Sequence, residues 1–344
     1  MTSVLITGCA GFIGSALVNQ WLAETDWQLI GVDKLGYAGL RESLVPALDH
    51  PRFALNVADI CDGPALHALF SAVRPDAVVH LAAESHVDRS IDAPAAFIQT
   101  NLVGTAMLLE AARAHWESLS PANRAAFRFL HVSTDEVFGA LGPSGRFDEQ
   151  SPHAPNSPYS ATKAGADHLV RAWHRSYGLP VLTTHSPNNY GPRQLPEKLI
   201  PRMLVQALRG EALPVYGDGG NVRDWLHVDD HAHALRTVLE RGVVGESYCV
   251  GGGTELSNLD LVHRLCNLLD RRRPANAPHA RNIAFVADRP GHDWRYAIDG
   301  SKLERMLGWA PRVDFADGLA ATVDWYLDHP AWLSLAMTRL ERSN

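Results

Sequence analysis

The chain has 344 residues, of which 46% are hydrophobic and 20% charged, with a formal net charge of −7. That balance suits a globular protein with a large core in one big or two moderate domains, and it argues against a nucleic-acid partner, because basic residues cluster only in the short run 271–273, which reads as a solvated loop. No apolar run reaches the roughly 18 residues of a membrane span. The opening TSVLITG is strand-like rather than a basic segment followed by an apolar one, so a cytoplasmic protein is expected. Cys9, Cys61, Cys249 and Cys266 are scattered without metal-ligand spacing, so reduced thiols and no metal are expected.

In chain order, VLITG (4–8), QLIGVD (28–33), FALNVAD (53–59), AVVHLAA (77–83) and FRFLHVST (127–134) read as strands. IGSALVNQWLAE (13–24), PALHALFSAV (64–73) and NLVGTAMLLEAARAHW (101–116) read as helices between them. Strands alternating with helices of this length imply right-handed crossovers, hence an α/β fold with a doubly wound parallel Rossmann-type sheet. After about residue 187, Pro and Gly punctuate the chain in NNYGPRQLPEKLIP, PVYGDGGNVRDW, GGGTELSN and RPGHDW, which reads as binding loops on a smaller C-terminal domain. The expected division is a dinucleotide-binding domain over 1–187, with parts of 226–250 returning to it, and a substrate-binding domain over 188–344.

GCAGFIG places Gly8, Gly11 and Gly14 where the first strand turns into the first helix. Missing side chains there permit a tight turn and a close approach of backbone N–H groups to a pyrophosphate, which the helix N-terminus also favours. Asp33 ends the next strand 19 residues after Gly14, where a carboxylate accepts hydrogen bonds from ribose hydroxyls and repels a 2′-phosphate. NAD is therefore expected rather than NADP, with Phe12, Ile13 and Lys34 joining the contact set.

In SPYSATK, Tyr159 and Lys163 lie four residues apart, so both project from one face of a helix that continues through HLVRAWHRSY. An ammonium beside a phenol favours tyrosinate, which makes Tyr159 a candidate base for an alcohol or sugar hydroxyl. VSTDEVFG (132–139) sets Asp135 and Glu136 side by side after an apolar strand. Adjacent strand residues face opposite ways, so the two acids can serve one site only if the chain turns out of the sheet there.

With these motifs in place, the sequence resembles the extended short-chain dehydrogenase/reductase superfamily and, within it, the nucleotide-sugar 4,6-dehydratases of the dTDP-glucose type. The resemblance runs through GCAGFIGS, VDKLGYAG, LAAESHVDRSI, NLVGT, VSTDEVFG, SPYSATKAGADHLVRAW, NNYGPRQLPEKLIP, GDGGNVRDWLHVDDHAHA and RPGHDWRYAID, and so covers nearly the whole chain. It implies oxidation of the hexose at C4, elimination of water across C5 and C6, and return of the hydride to C6. Carried over residue by residue, Tyr159 takes the C4 hydroxyl proton, Lys163 tunes it, Thr134 holds the C4 oxygen, Glu136 takes the C5 proton and Asp135 protonates the departing C6 hydroxyl. Neighbouring carboxyls whose pKa values are driven apart by repulsion and burial suit such an acid and base.

Other positions transfer from the same resemblance. Asp59 and Ile60 match the pair beside adenine, Leu81 and Ala83 the strand end beside the cofactor, and Ser85 and His86 residues near the hexose. Asn188, Arg223 and Tyr296 match contacts to the nucleotide diphosphate, and Lys198 and Leu199 the segment over the base. Related 4-epimerases and decarboxylases share Tyr159 and Lys163 but not the acid pair; they, or a 4,6-dehydratase acting on a UDP sugar, are the alternatives. Pro187, Gly36 and GGGTE (251–255) depart from the family pattern, the last removing an amide at Thr254 and bearing on nucleotide identity. The helices at 101–116 and 161–177 carry apolar residues on more than one face, and the resemblance implies a homodimer through a four-helix bundle.

Overall fold

The computed structural model describes residues 2–288 and 291–342; Arg289 and Pro290, at the start of RPGHDW, lie outside them. Six strands arise in order: β1 (Ser3–Thr7), β2 (Gln28–Asp33), β3 (Phe53–Val57), β4 (Ala77–His80), β5 (Arg128–Thr134) and β6 (Val181–Ser186). They are followed by β7 (Asn188–Tyr190), β8 (Leu213–Tyr216), β9 (Val222–His227), β10 (Ser247–Cys249), β11 (Glu255–Ser257) and β12 (Ile283–Val286). Seven of them form one parallel sheet in the order β10-β6-β5-β4-β1-β2-β3.

Alternation along these strands explains why they read as continuous apolar runs. Val4 and Ile6 of β1 point into one hydrophobic cluster with Leu17 and Trp21, whereas Leu5 between them points into another with Phe70 and Leu108. Both faces of a parallel sheet are covered by its own crossover helices, so no strand residue needs to be polar for water. Helices Phe12–Glu24 and Val228–Arg241 cover one face, and Gly63–Val73, Thr105–Glu117 and Pro158–Tyr177 the other.

The later part of the chain builds a separate cluster around Ile200, Leu204, Leu213, Leu261, Leu265, Leu319 and Tyr326. A three-stranded sheet, β11-β9-β7, and the pair β12-β8 belong to this region. The last helix, Pro330–Glu341, sends Ala336 and Leu340 against Leu40 and Leu195, closing over the loop that follows β2.

Strands β3 and β4 end earlier than expected, at Val57 and His80, and the residues beyond run on as cleft-lining loop. The helix expected from residue 101 opens differently: Ile98–Gly104 is a π-helical segment leading into Thr105–Glu117. Asn101 within it is pinned at both ends of its amide. Its Oδ1 accepts from the Glu84 N–H at 2.9 Å, while its Nδ2 donates to the Glu84 carbonyl at 3.0 Å and to Thr162 Oγ1 at 2.9 Å. A widened turn of this kind commonly lies beside a functional site, and no hydrophobic period announces it.

Gly8, at φ +70°, and Gly14 hold the β1-to-helix turn closed: a Cβ on Gly14 would meet the Gly8 carbonyl oxygen at 2.2 Å and Cys9 Cα at 2.8 Å. Both atoms belong to backbone that cannot yield. Gly14→Ala is therefore expected to destabilise the protein by at least about 1–3 kcal/mol. A urea unfolding midpoint equal to that of the parent protein would contradict this packing.

Candidate functional site

The carboxyl ends of β1, β2, β4, β5 and β6 open into one cleft of about 340 Å³. Crevices in doubly wound sheets lie at these ends because crossover loops leave in opposite directions there. Among the residues singled out from the sequence, Gly8, Gly11, Phe12, Ile13, Gly14, Asp33, Lys34, Asp59, Ile60, Leu81, Ala83 and Ser85 line it, together with Thr134, Asp135, Glu136, Tyr159, Lys163, Asn188, Lys198 and Leu199. His86, Arg223 and Tyr296 do not.

At the glycine-rich end, helix Phe12–Glu24 starts at Gly11 with no side-chain cap and no acidic residue in its first turn. Its first N–H groups are left for an anion, and the space a Cβ would fill at Gly8, 2.7 Å from the Ala82 nitrogen, is kept clear. Asp33 is buried, with one oxygen accepting from the Ala10 N–H at 3.0 Å and the other from the Leu35 N–H at 2.8 Å. Burial raises its carboxyl above the usual carboxylate range despite these bonds. Lys34 turns away to Glu84, Nζ to Oε1 at 3.0 Å, so its charge is matched within the chain. An uncapped helix start, a clear glycine cradle and a carboxylate at the end of β2 fit a dinucleotide with a free 2′-hydroxyl.

At the other end, the chain leaves β5 in a single 3₁₀ turn, Asp135–Phe138, whose first N–H groups are met by Thr134: its Oγ1 accepts from the Glu136 N–H at 3.3 Å and donates to Asp135 Oδ1 at 3.3 Å. This turn is what lets two adjacent acids share one cleft. Gly139 ends it at φ +85°, where a Cβ would lie 2.4 Å from the Ala154 carbonyl oxygen.

Asp135 is only 1% exposed, and its Oδ2 has no hydrogen-bond partner among the described residues. Burial, then the neighbouring Glu136 and then Asp224, push its carboxyl well above the usual range, which favours the protonated form. Asp224, raised to about 6 mainly by burial, accepts from Gly252 and Thr254 N–H groups.

Tyr159 and Lys163 stand on the first turns of helix Pro158–Tyr177, which begins with a capping box between Ser157 and Ser160. The Tyr159 backbone N–H donates to Ser90 Oγ at 3.1 Å. Lys163 Nζ donates to the Val132 carbonyl at 2.9 Å, and burial lowers its pKa to about 8.

The expectation that an ammonium lowers the Tyr159 phenol is corrected here. Burial and then Glu136 raise it, and the opposing influence is a hydrogen bond with Thr134 rather than Lys163.

On the substrate side, Lys198 Nζ donates to the Ser85 carbonyl at 2.7 Å. His86 caps the helix Val87–Asp92, lies 4.0 Å from Glu197, and is held neutral by burial, its pKa lowered to about 4. Arg223 is buried with its guanidinium 4.5 Å from the Tyr296 ring centroid, and it donates to the Val222 carbonyl at 2.8 Å and the Asp293 carbonyl at 3.1 Å. The Tyr296 hydroxyl donates to Asp293. Neither lines the cleft, yet both are felt there: burial and then Glu136 raise the Tyr296 phenol, and Arg223 opposes the rise of the Asp135 carboxyl.

Tyr37, Gln194, Glu197 and Trp225 also line the cleft and were not singled out from the sequence. All four lie inside motifs quoted above, so the motif text, rather than residue chemistry, was the available signal.

The chain matches the family model described as GDP-mannose 4,6 dehydratase over residues 5–322. It is 52% identical over 339 residues to dTDP-glucose 4,6-dehydratase 1 of Escherichia coli (strain K12), covering 96% of this chain and 94% of that one. It is 53% identical over 350 residues to dTDP-glucose 4,6-dehydratase of Neisseria meningitidis, covering 99% of each. A solved structure of the dTDP-glucose 4,6-dehydratase of Streptomyces venezuelae with NAD bound superposes with a TM-score of 0.90 at 46% identity, covering 97% of this chain and all of that one.

Asp33→Ala removes the carboxylate expected to meet the ribose. Loss of a hydrogen bond to a charged group amounts to about 1.5–3 kcal/mol, so NAD affinity should fall by about tenfold or more. Calorimetric titration showing an unchanged dissociation constant would contradict that contact.

Proposed function

This chain belongs to the dTDP-glucose 4,6-dehydratase family of nucleotide-sugar enzymes, and on that footing we propose that it converts dTDP-glucose to dTDP-4-keto-6-deoxyglucose and water. The observation that carries the reading is the acid pair: a fully buried Asp135, its carboxyl pushed upward, next to Glu136 in the same cleft as Tyr159 and Lys163. NAD, when bound, takes the hydride from C4 and gives it back to C6.

The chain's own residues do the rest. Tyr159, once ionised to the tyrosinate that its burial disfavours, takes the proton of the C4 hydroxyl while Thr134 holds the C4 oxygen, and Lys163 keeps positive charge behind the phenol. The carbonyl formed at C4 acidifies the proton on C5, which Glu136 removes. Asp135 gives its proton to the C6 hydroxyl as the carbon–oxygen bond breaks, so that water leaves instead of hydroxide. Glu136 then returns a proton to C5 as C6 is reduced. An unprotonated Asp135 would offer the leaving group nothing, which is why its burial beside another carboxyl matters.

In this reading residues 1–187, with the segment around β10, hold the dinucleotide, and 188–344 mainly hold the nucleotide sugar. Asn188, Lys198 and Leu199 face the nucleotide from the cleft wall. Arg223 and Tyr296 would reach a diphosphate only by exchanging their present backbone and Asp293 partners. The protein works as a homodimer in the cytoplasm, pairing helices Thr105–Glu117 and Pro158–Tyr177 across a twofold axis. Supporting this, Val103 in the π segment before the first helix and Tyr177 at the end of the second expose apolar surface, at 37% and 46%.

Incubation with dTDP-glucose, UDP-glucose, GDP-mannose and UDP-N-acetylglucosamine, followed by mass spectrometry, should show loss of one water from dTDP-glucose. Loss from a UDP sugar alone would overturn the nucleotide assignment, and no loss from any donor would overturn the dehydratase assignment. Asp135→Asn should slow water loss by about 10²–10⁴-fold, the usual contribution of a general acid, while C4 oxidation persists. Undiminished turnover would remove Asp135 from the reaction. For the assembly, Val103→Glu should shift sedimentation from dimer to monomer, and a monomeric parent protein would refute it.

A further inference from the structure

Farther along the Tyr159–Lys163 face of helix Pro158–Tyr177, one turn beyond Lys163, Asp167 sits at the centre of a histidine cluster that takes no part in the proton transfers of the dehydration. Its Oδ1 accepts from His131 Nε2 at 3.0 Å. Its Oδ2 accepts from Ser133 Oγ at 3.0 Å and from His185 Nε2 at 3.0 Å, with His153 Nε2 3.9 Å away. One donor atom each from His153, Asp167 and His185 lies within 4.8 Å of the other two.

We propose that His153, Asp167 and His185 form a binding site for a divalent transition-metal ion of the Zn²⁺ class. Donors bound tetrahedrally to such an ion at its usual bond lengths of about 2.0–2.2 Å stand about 3.4 Å apart. The separations of 3.0 Å and 3.9 Å from Asp167 Oδ2 bracket that value. Two imidazoles and one carboxylate are the donor types Zn²⁺ takes when one position is left for water.

The supporting contacts are also present. His131 and Ser133 hold the carboxylate from behind, as outer-shell partners of metal-binding groups do. The Phe138 ring packs against both imidazoles, its centroid 5.5 Å from that of His153 and 4.9 Å from that of His185, which fixes their orientation.

Binding requires His185 to release the Nε2 proton that it now shares with Asp167 and to carry its proton on Nδ1. That Nδ1, like the one of His153, is buried with no partner among the described residues, so the change of tautomer breaks no bond at that end. His153 is 19% exposed, against 4% for the His185 side chain, and it gives the ion an entry from solvent. A bound ion would tie the segment before helix Pro158–Tyr177 to β6 and to the helix itself, bracing the element that carries Tyr159 and Lys163.

Titration of the purified, chelator-treated protein with Co²⁺ and Zn²⁺ tests this without reference to turnover. One equivalent of Co²⁺ per chain should bind with visible absorption bands of a low-coordinate N/O site, and Zn²⁺ should displace it and raise the melting temperature. His153→Gln, at the partly exposed edge, should reduce affinity at least about tenfold and abolish the Zn²⁺-dependent melting shift while leaving dinucleotide binding intact. His185→Asn should do the same if it folds. Absence of Co²⁺ absorption in the parent protein, or absorption and a melting shift that persist in His153→Gln, would overturn the site.

Discussion

Pairing of β1 in parallel with both β2 and β4 is the constraint on which the remaining structure depends. Crossovers to one side build β2 and β3, and those to the other build β4, β5, β6 and β10. The loops leaving β1 and β4 must therefore part, and the gap between them is the cleft. Everything chemical in the molecule is hung from the strand ends around that gap: the glycine turn after β1, Asp33 at the end of β2, the 3₁₀ turn after β5.

A second constraint follows from the first. The inner strands of this sheet are buried on both faces, so a polar group at their carboxyl ends enters a region of low dielectric. There the proton, rather than the charge, is favoured on an acid, and the uncharged form on a base. The Asp135 carboxyl is pushed well above its usual range and Lys163 is brought down to about 8 for the same reason. Asp167 escapes this rule because three donors surround it, and its carboxyl is held well below the usual range by His131 and His185. One helix thus carries a phenol, an ammonium and a carboxylate in three different protonation regimes within nine residues, Tyr159 to Asp167.

The C-terminal helix shows how remote parts serve the cleft. Arg339 donates to the Leu35 and Gly36 carbonyls, and Trp332 Nε1 donates to Ser43 Oγ at 3.3 Å, so the loop after β2 is held from outside. Leu35 takes a positive φ of 53° in that loop, a conformation a bulky residue keeps only when its surroundings enforce it.

Local patterns in the sequence determined the strand and helix segments, the glycine turn, the Tyr159–Lys163 helix face and the adjacency of Asp135 and Glu136, because each depends on residues close together along the chain. The tertiary structure alone decided the rest. The π segment at Ile98–Gly104 exists because Asn101 is tied to Glu84 and Thr162, partners 17 and 61 residues away. Arg223 is turned onto Tyr296 and backbone carbonyls instead of the cleft by contacts with a segment some 70 residues later. The phenol of Tyr159 is governed by burial and Glu136 rather than by the lysine one turn along its helix. In all three cases a long-range contact sets the local dielectric and hydrogen bonding, and spacing along the chain carries no record of either.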